Sequence, residues 1–169
     1  MAKKILWTIG FILIAALLQS TVFSRLQVYI YAVPDLALCI LVFSAYINGT
    51  MTGQLTGFFS GFLMDFLSAS PLGLNALVRT FVGAFAGILK GTFFLDVIFL
   101  PMALCAGATV FKAIIYFFLH LLFPAAVPAY TLFALTFWVE LALNTFLAPF
   151  LFSFLKLFES LLFAQRENI

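Results

Sequence analysis

Long apolar runs set the terms for this chain. The longest, 92–123, has Asp96, Lys112 and His120 as its only acidic or basic residues. A bilayer core about 30 Å thick is crossed by roughly 20 apolar residues in helical form, and each run is long enough for that. The strands of a membrane barrel would alternate apolar and polar positions, whereas these runs are continuous. Composition agrees, with 66% hydrophobic and 8% charged residues against about 25% charged in a soluble domain. A soluble protein could not hide so much apolar surface, because most of its residues must still meet water. The 169 residues therefore read as an all-α integral membrane protein, a single polytopic domain over 1–169. At roughly 20 residues per crossing there are about six transmembrane helices and no room for a soluble catalytic or DNA-binding domain. A net charge of +2 gives no basic footprint for nucleic acid.

Taken in order, the chain opens with MAKK and an apolar run that looks like a signal peptide, but no A-x-A cleavage site follows. An uncleaved first helix over 5–24 is expected. Tyr29 and Tyr31 suit a headgroup-level connection. Pro34 and Asp35 open a second helix, proline because its missing N–H is not needed there and the acid because it suits the positive end of the helix dipole. That helix ends near 47 at the turn Asn48-Gly49. A third helix covers 50–67, and a fourth covers 72–89 and closes at Lys90-Gly91. Pro101 divides the run 92–123 into an interfacial piece and a fifth helix over 101–123, with one kinked, tilted helix as the alternative. Pro124 and Pro128 mark a loop, and a sixth helix covers 130–154. With the N-terminus inside, Lys3, Lys4, Lys90, Lys156 and Arg166 fall on the cytoplasmic side and Arg25 outside. The positive-inside rule thus favours both termini in the cytoplasm.

The third and fourth helices carry matched small-residue rows. Glycine recurs at 49, 53, 57 and 61, with Asp65 next in register, and Arg79 is followed by Gly83, Gly87 and Gly91. In lipid, small residues four apart let helix backbones approach closely. The spacing predicts a tightly packed hairpin in which Gly53, Gly57, Gly61, Gly83 and Gly87 form the contact. A row of period four turns by ~40° per step, so a straight neighbour would not follow all of it, and part of the row is open to a helix from another chain.

Four ionisable residues lie within helices rather than at their ends. Asp65 and Arg79 sit seven residues either side of position 72, and Lys112 and Glu140 fourteen either side of 126. Each hairpin therefore offers one acid and one base at equal depth, and pairing is the least costly way to keep them in a low-dielectric region. Structural ion pairs, contact with a membrane partner, and a proton relay or ligand site all remain open.

No catalytic set is present. His120 is the only histidine, and no Ser-His-Asp arrangement can be built around it. Ser60 lacks the glycine two residues before it that an intramembrane serine protease motif requires. Asp65 is followed by Phe66 rather than the arginine of a lipoprotein signal peptidase. Cys39 and Cys105 belong to no CxxC or zinc-like cluster, so free thiols and no metal or cofactor are expected.

Three segments together resemble a known family: Pro34-Asp35-Leu36 at a helix start, then Gly49-x3-Gly53-x3-Gly57-Phe58-x2-Gly61-x3-Asp65, then Ser70-Pro71-Leu72-Gly73-Leu74-Asn75-Ala76-Leu77. This pattern, over roughly residues 34–90, resembles the rod shape-determining protein MreD family. The resemblance implies a non-enzymatic, multi-pass protein of the bacterial inner membrane. It also implies a place in the cell-elongation machinery that builds lateral peptidoglycan. The implied partners are the single-span protein MreC, the MreB filament, and the wall glycosyltransferase and transpeptidase, and the implied fold is similar to the binding subunits of energy-coupling-factor transporters. The expected structural and partner-binding residues are Gly53, Gly57, Gly61, Asp65, Arg79, Gly83 and Gly87, with Lys112 and Glu140 as a second intramembrane pair. The rival reading is a small-molecule, vitamin-like binding subunit of a transporter.

Overall fold

The most completely buried helix is also the shortest, which makes it the axis of the bundle. In the computed structural model, which describes residues 2–19, 21, 32–68, 70–91, 98–127 and 133–158, six α-helices follow one another. They are α1 (Ala2–Leu18), α2 (Leu36–Asn48), α3 (Thr50–Leu67), α4 (Leu74–Ile88), α5 (Phe99–Leu122) and α6 (Leu135–Lys156). No strand occurs among the described residues. Every residue of α2 from Ala37 to Ala45 is buried, as expected of a helix apolar on all sides. The other five helices pack around it. By length and hydropathy α5 and α6 could each cross a membrane, and α1, α2 and α4 contain shorter apolar helices.

Boundaries agree closely with the sequence reading for α2, α3 and α5. The expected extension of the first helix toward 24 and the interfacial piece holding Asp96 fall largely outside the described residues, as does the region 128–132. Helix α4 starts two residues later than expected because Gly73 takes a left-handed φ of 94° just before it. Helix α5 starts at Phe99, so Pro101 lies in its first turn, where its missing N–H leaves no bond unmade.

Helices α3 and α4 form the closest pair in the molecule. A Cβ built on Gly53 would lie 2.2 Å from the Gly83 carbonyl oxygen, one on Gly57 2.3 Å from that of Arg79, and one on Gly61 2.4 Å from that of Asn75. The reverse also holds, since a Cβ on Gly83 would meet the Gly53 oxygen at 2.1 Å and one on Gly87 would meet Thr50 at 2.5 Å. Each step of four along α3 is thus answered by a step of four back along α4. One neighbour follows the row from Gly53 to Gly61, so the part expected to be open to a helix from another chain is filled by α4. Helix α4 carries its own contact row of period four, so both rows drift together and the helices wind about each other.

Polar residues on α3 turn back on their own helix. The Thr56 hydroxyl donates to the Thr52 carbonyl at 2.7 Å and Ser60 to Gly57 at 3.1 Å, which satisfies both inside an apolar bundle. Helix α1 presents Thr8, Ile12 and Ala15 inward, and its Thr8 hydroxyl meets that of Ser44 on α2 at 3.1 Å. Large side chains point outward on α3 to α6, among them Phe58, Phe62, Phe66, Phe81, Phe117 and Phe150.

Candidate functional site

The chain enters α2 without being helical, and its polar groups at that point collect the buried charges. Asp35 is the N-cap, and its Oδ1 accepts the Leu38 N–H at 3.0 Å. Its own N–H would be an orphan donor inside the bundle, but the Asn144 side-chain oxygen on α6 accepts it at 2.8 Å. Irregular backbone inside an apolar bundle is tolerated only where the surrounding protein completes its bonds. Asn144 in turn donates to the Thr109 hydroxyl on α5 at 3.1 Å, and Thr109 donates to the Cys105 carbonyl at 2.8 Å.

Two cations converge on the same carboxylate. Arg79 on α4 reaches Asp35 with Nη2 at 2.9 and 3.2 Å from the two oxygens. Lys112 on α5 places Nζ 3.1 Å from Asp35 Oδ2 and also pairs with Glu140 on α6. Asp35, Arg79 and Lys112 are buried and Glu140 nearly so, so two acids and two bases form one compensated cluster. Such neutrality is what makes several charges tolerable away from water. Helical spacing explains the aim of the side chains. Lys112 continues the buried face of α5 through Pro101, Leu104, Cys105, Ala108 and Thr109, and Glu140 sits one turn before Asn144 on α6.

The expected pair Lys112–Glu140 is therefore formed, whereas Asp65–Arg79 is not. Asp65, 2% exposed, accepts the N–H groups of Gly73, Asn75 and Ala76 at 2.8, 2.9 and 3.2 Å and the Ser70 hydroxyl at 3.3 Å. It caps α4 from a distance, setting a carboxylate against the positive end of that helix. The depth count failed because it centred the hairpin on position 72. The glycine contacts place Gly57 opposite Arg79 and Gly61 opposite Asn75, which centres it at 68. Arg79 then lies level with Gly57, about 12 Å along the axis from Asp65 at 1.5 Å per residue.

A second polar layer, which includes the Asp65 carboxylate, lies one turn away from this cluster. Tyr116, one turn beyond Lys112, donates its hydroxyl to Asn75 Oδ1 at 2.9 Å. Asn75 Nδ2 donates to Ser70 at 2.8 Å, and the Ser70 and Ser68 hydroxyls meet at 2.6 Å. At the end of α5 the His120 ring Nδ1 meets the Val127 carbonyl at 2.8 Å. These groups hold loops to helix ends. The polar cluster binds α2, α4, α5 and α6 to one another, and the glycine rows bind α3 to α4.

Compared with known proteins, the sequence matches the family model for rod shape-determining protein MreD over residues 1–158. The chain belongs to the MreD family. No curated protein and no solved structure gives a match. MreD proteins are membrane proteins with a structural role in determining rod shape. The sequence of this MreD-family chain marks Arg79, Lys112 and Glu140 as charges within helices, whereas Asp35 reads there only as a helix opener. Asn144 and Thr109 were missed altogether. A signal for Asn144 was present, since it lies four residues after Glu140 and so on the same helical face.

Proposed function

We propose that this chain is a non-enzymatic scaffold of the bacterial cell-elongation machinery. It crosses the inner membrane about six times, with both termini in the cytoplasm, and binds the single-span protein MreC. Through MreC it would work beside the MreB filament and the enzymes of lateral wall synthesis. Family membership over 1–158 is the observation that carries this reading. The geometry supports a scaffold in particular. The intramembrane charges are compensated within the chain, while large apolar side chains cover the outside, a surface suited to lipid and to another helix.

The glycine row serves the fold in this proposal. Because α4 fills the face of Gly53, Gly57 and Gly61, a partner's span lies against another part of the exterior. Native mass spectrometry of the protein released from membranes tests the reading. A bound single-span protein of MreC mass is the expected result, and a bound metabolite with no protein would favour a transporter binding subunit instead. A reporter at the C-terminus that is active only outside the membrane would overturn the proposed orientation.

A further inference from the structure

The buried charges divide along the same line as the helices. Helices α1 to α4 pack as one unit, and α5 and α6 form a hairpin that touches this unit mainly through α2 and α4. Asp35 and Arg79 both belong to the four-helix unit and pair at 2.9 Å. Lys112 and Glu140 both belong to the hairpin and pair with each other. Among the described residues, Lys112–Asp35, at 3.1 Å, is an ion pair that crosses the seam. Parting the hairpin from the unit would break that contact and strand no charge, since each side keeps an acid and a base together. Had the pairs been exchanged, Arg79 with Glu140 and Lys112 with Asp35, parting would leave four unpaired charges in a low-dielectric region.

The two ends of the seam differ in kind. Near the 68–73 loop it is polar, with Lys112 on Asp35, the Asp35 N–H on Asn144 and the Tyr116 hydroxyl on Asn75. Toward the opposite end the rings interlock. Phe43 meets Phe152 edge-on at 4.8 Å, and the rings of Phe11 and Phe158 lie 5.2 Å apart. The closed arrangement also leaves the buried Arg79 Nη1 without an acceptor, so it does not satisfy every donor at the polar end.

We propose that the α5–α6 hairpin is a hinged leaf that pivots on its apolar end and is held at the other by a charge latch. The latch opens when Lys112 leaves Asp35 while Lys112–Glu140 and Asp35–Arg79 persist. Closed and open forms then differ by discrete contacts rather than by continuous deformation, as a switching element requires. Opening uncovers a cleft between α4 and α5 lined by Asn75, Arg79, Lys112 and Tyr116.

Distances between paired spin labels in lipid nanodiscs test this, in full-length protein with Cys39→Ala and Cys105→Ala. Leu72→Cys with Leu121→Cys, at residues 71% and 68% exposed, reports the latch end. Ile88→Cys with Phe99→Cys, at residues 68% and 63% exposed, reports the pivot end. Lys112→Met with Glu140→Gln removes the latch and leaves Asp35–Arg79 in place. The expected result is a second latch-end population, longer by about 5 Å or more, the scale of one helical turn, with the pivot-end distance unchanged. Asn75→Ala with Tyr116→Phe, which replaces no charged residue, should give the same population in smaller amount. A latch-end distance unchanged in both variants, or equal broadening at both ends, would overturn the hinge.

Discussion

Replacing Asp35 by Asn removes one negative charge from a cluster that holds two of each sign. Asparagine has the same shape and can still accept the Leu38 N–H, now at 3.0 Å, so the cap of α2 survives and the loss is electrostatic. Arg79 and Lys112 would then share Glu140, leaving one positive charge uncompensated among buried groups. Breaking a buried pair in this way costs about 3–5 kcal/mol, roughly a few hundred- to a few thousand-fold in the folded-to-unfolded ratio. A second substitution should either relieve or worsen this according to sign alone. Asp35→Asn with Arg79→Met leaves Lys112–Glu140 balanced and should recover about 2 kcal/mol of the loss, within the usual range for coupled neighbours. Asp35→Asn with Glu140→Gln leaves two bases and no acid and should be worse than the single variant. Equilibrium unfolding in mixed detergent micelles gives the three free energies. If the Arg79→Met double variant is no more stable than the Glu140→Gln double variant, charge balance is not what holds the cluster.

Glycine substitutions should differ in sign with position. Gly57→Ala places a Cβ 2.3 Å from the Arg79 carbonyl oxygen and should cost about 1–3 kcal/mol by forcing α3 from α4. Gly107→Ala meets nothing within 4 Å and should gain up to about 1 kcal/mol of helix propensity; the same unfolding assay compares them. Asp65→Ala should leave the Gly73, Asn75 and Ala76 amides without their acceptor, and hydrogen exchange should accelerate over 70–78 while α6 is unaffected. Exchange unchanged in that segment would refute the capping role. Asn144→Ala should cost about 1–3 kcal/mol through the orphaned Asp35 N–H, measured as a lower unfolding midpoint.

Much of the fold could be read from the residues because lipid leaves few choices. Continuous apolar runs have to satisfy their own backbone, so they become helices, and proline and glycine punctuation placed α2 and α3 to within a residue or two. The glycine row was also legible, since a period of four on two adjacent segments has few meanings in a membrane. Lys112 and Glu140 were matched by counting from a loop whose centre was estimated correctly. Asp65 and Arg79 were mismatched by the same count, because a centre misplaced from 68 to 72 carries one residue past the other by about two turns.

The sequence by itself determined the main helices, the α3–α4 seam and the interior placement of Asp65, Arg79, Lys112 and Glu140, but not the burial of Asp35. Which acid meets which base was decided by the tertiary structure. Depth along a helix follows from counting residues, but the direction in which a side chain faces depends on how α2, α4, α5 and α6 rotate about one another. That rotation brings Asp35 to Arg79 across 44 positions of sequence and to Lys112 across 77, and it frees Asp65 to cap α4. It also sets the charge pairs on either side of the seam between α1–α4 and the α5–α6 hairpin, a division that residue spacing along one chain does not contain.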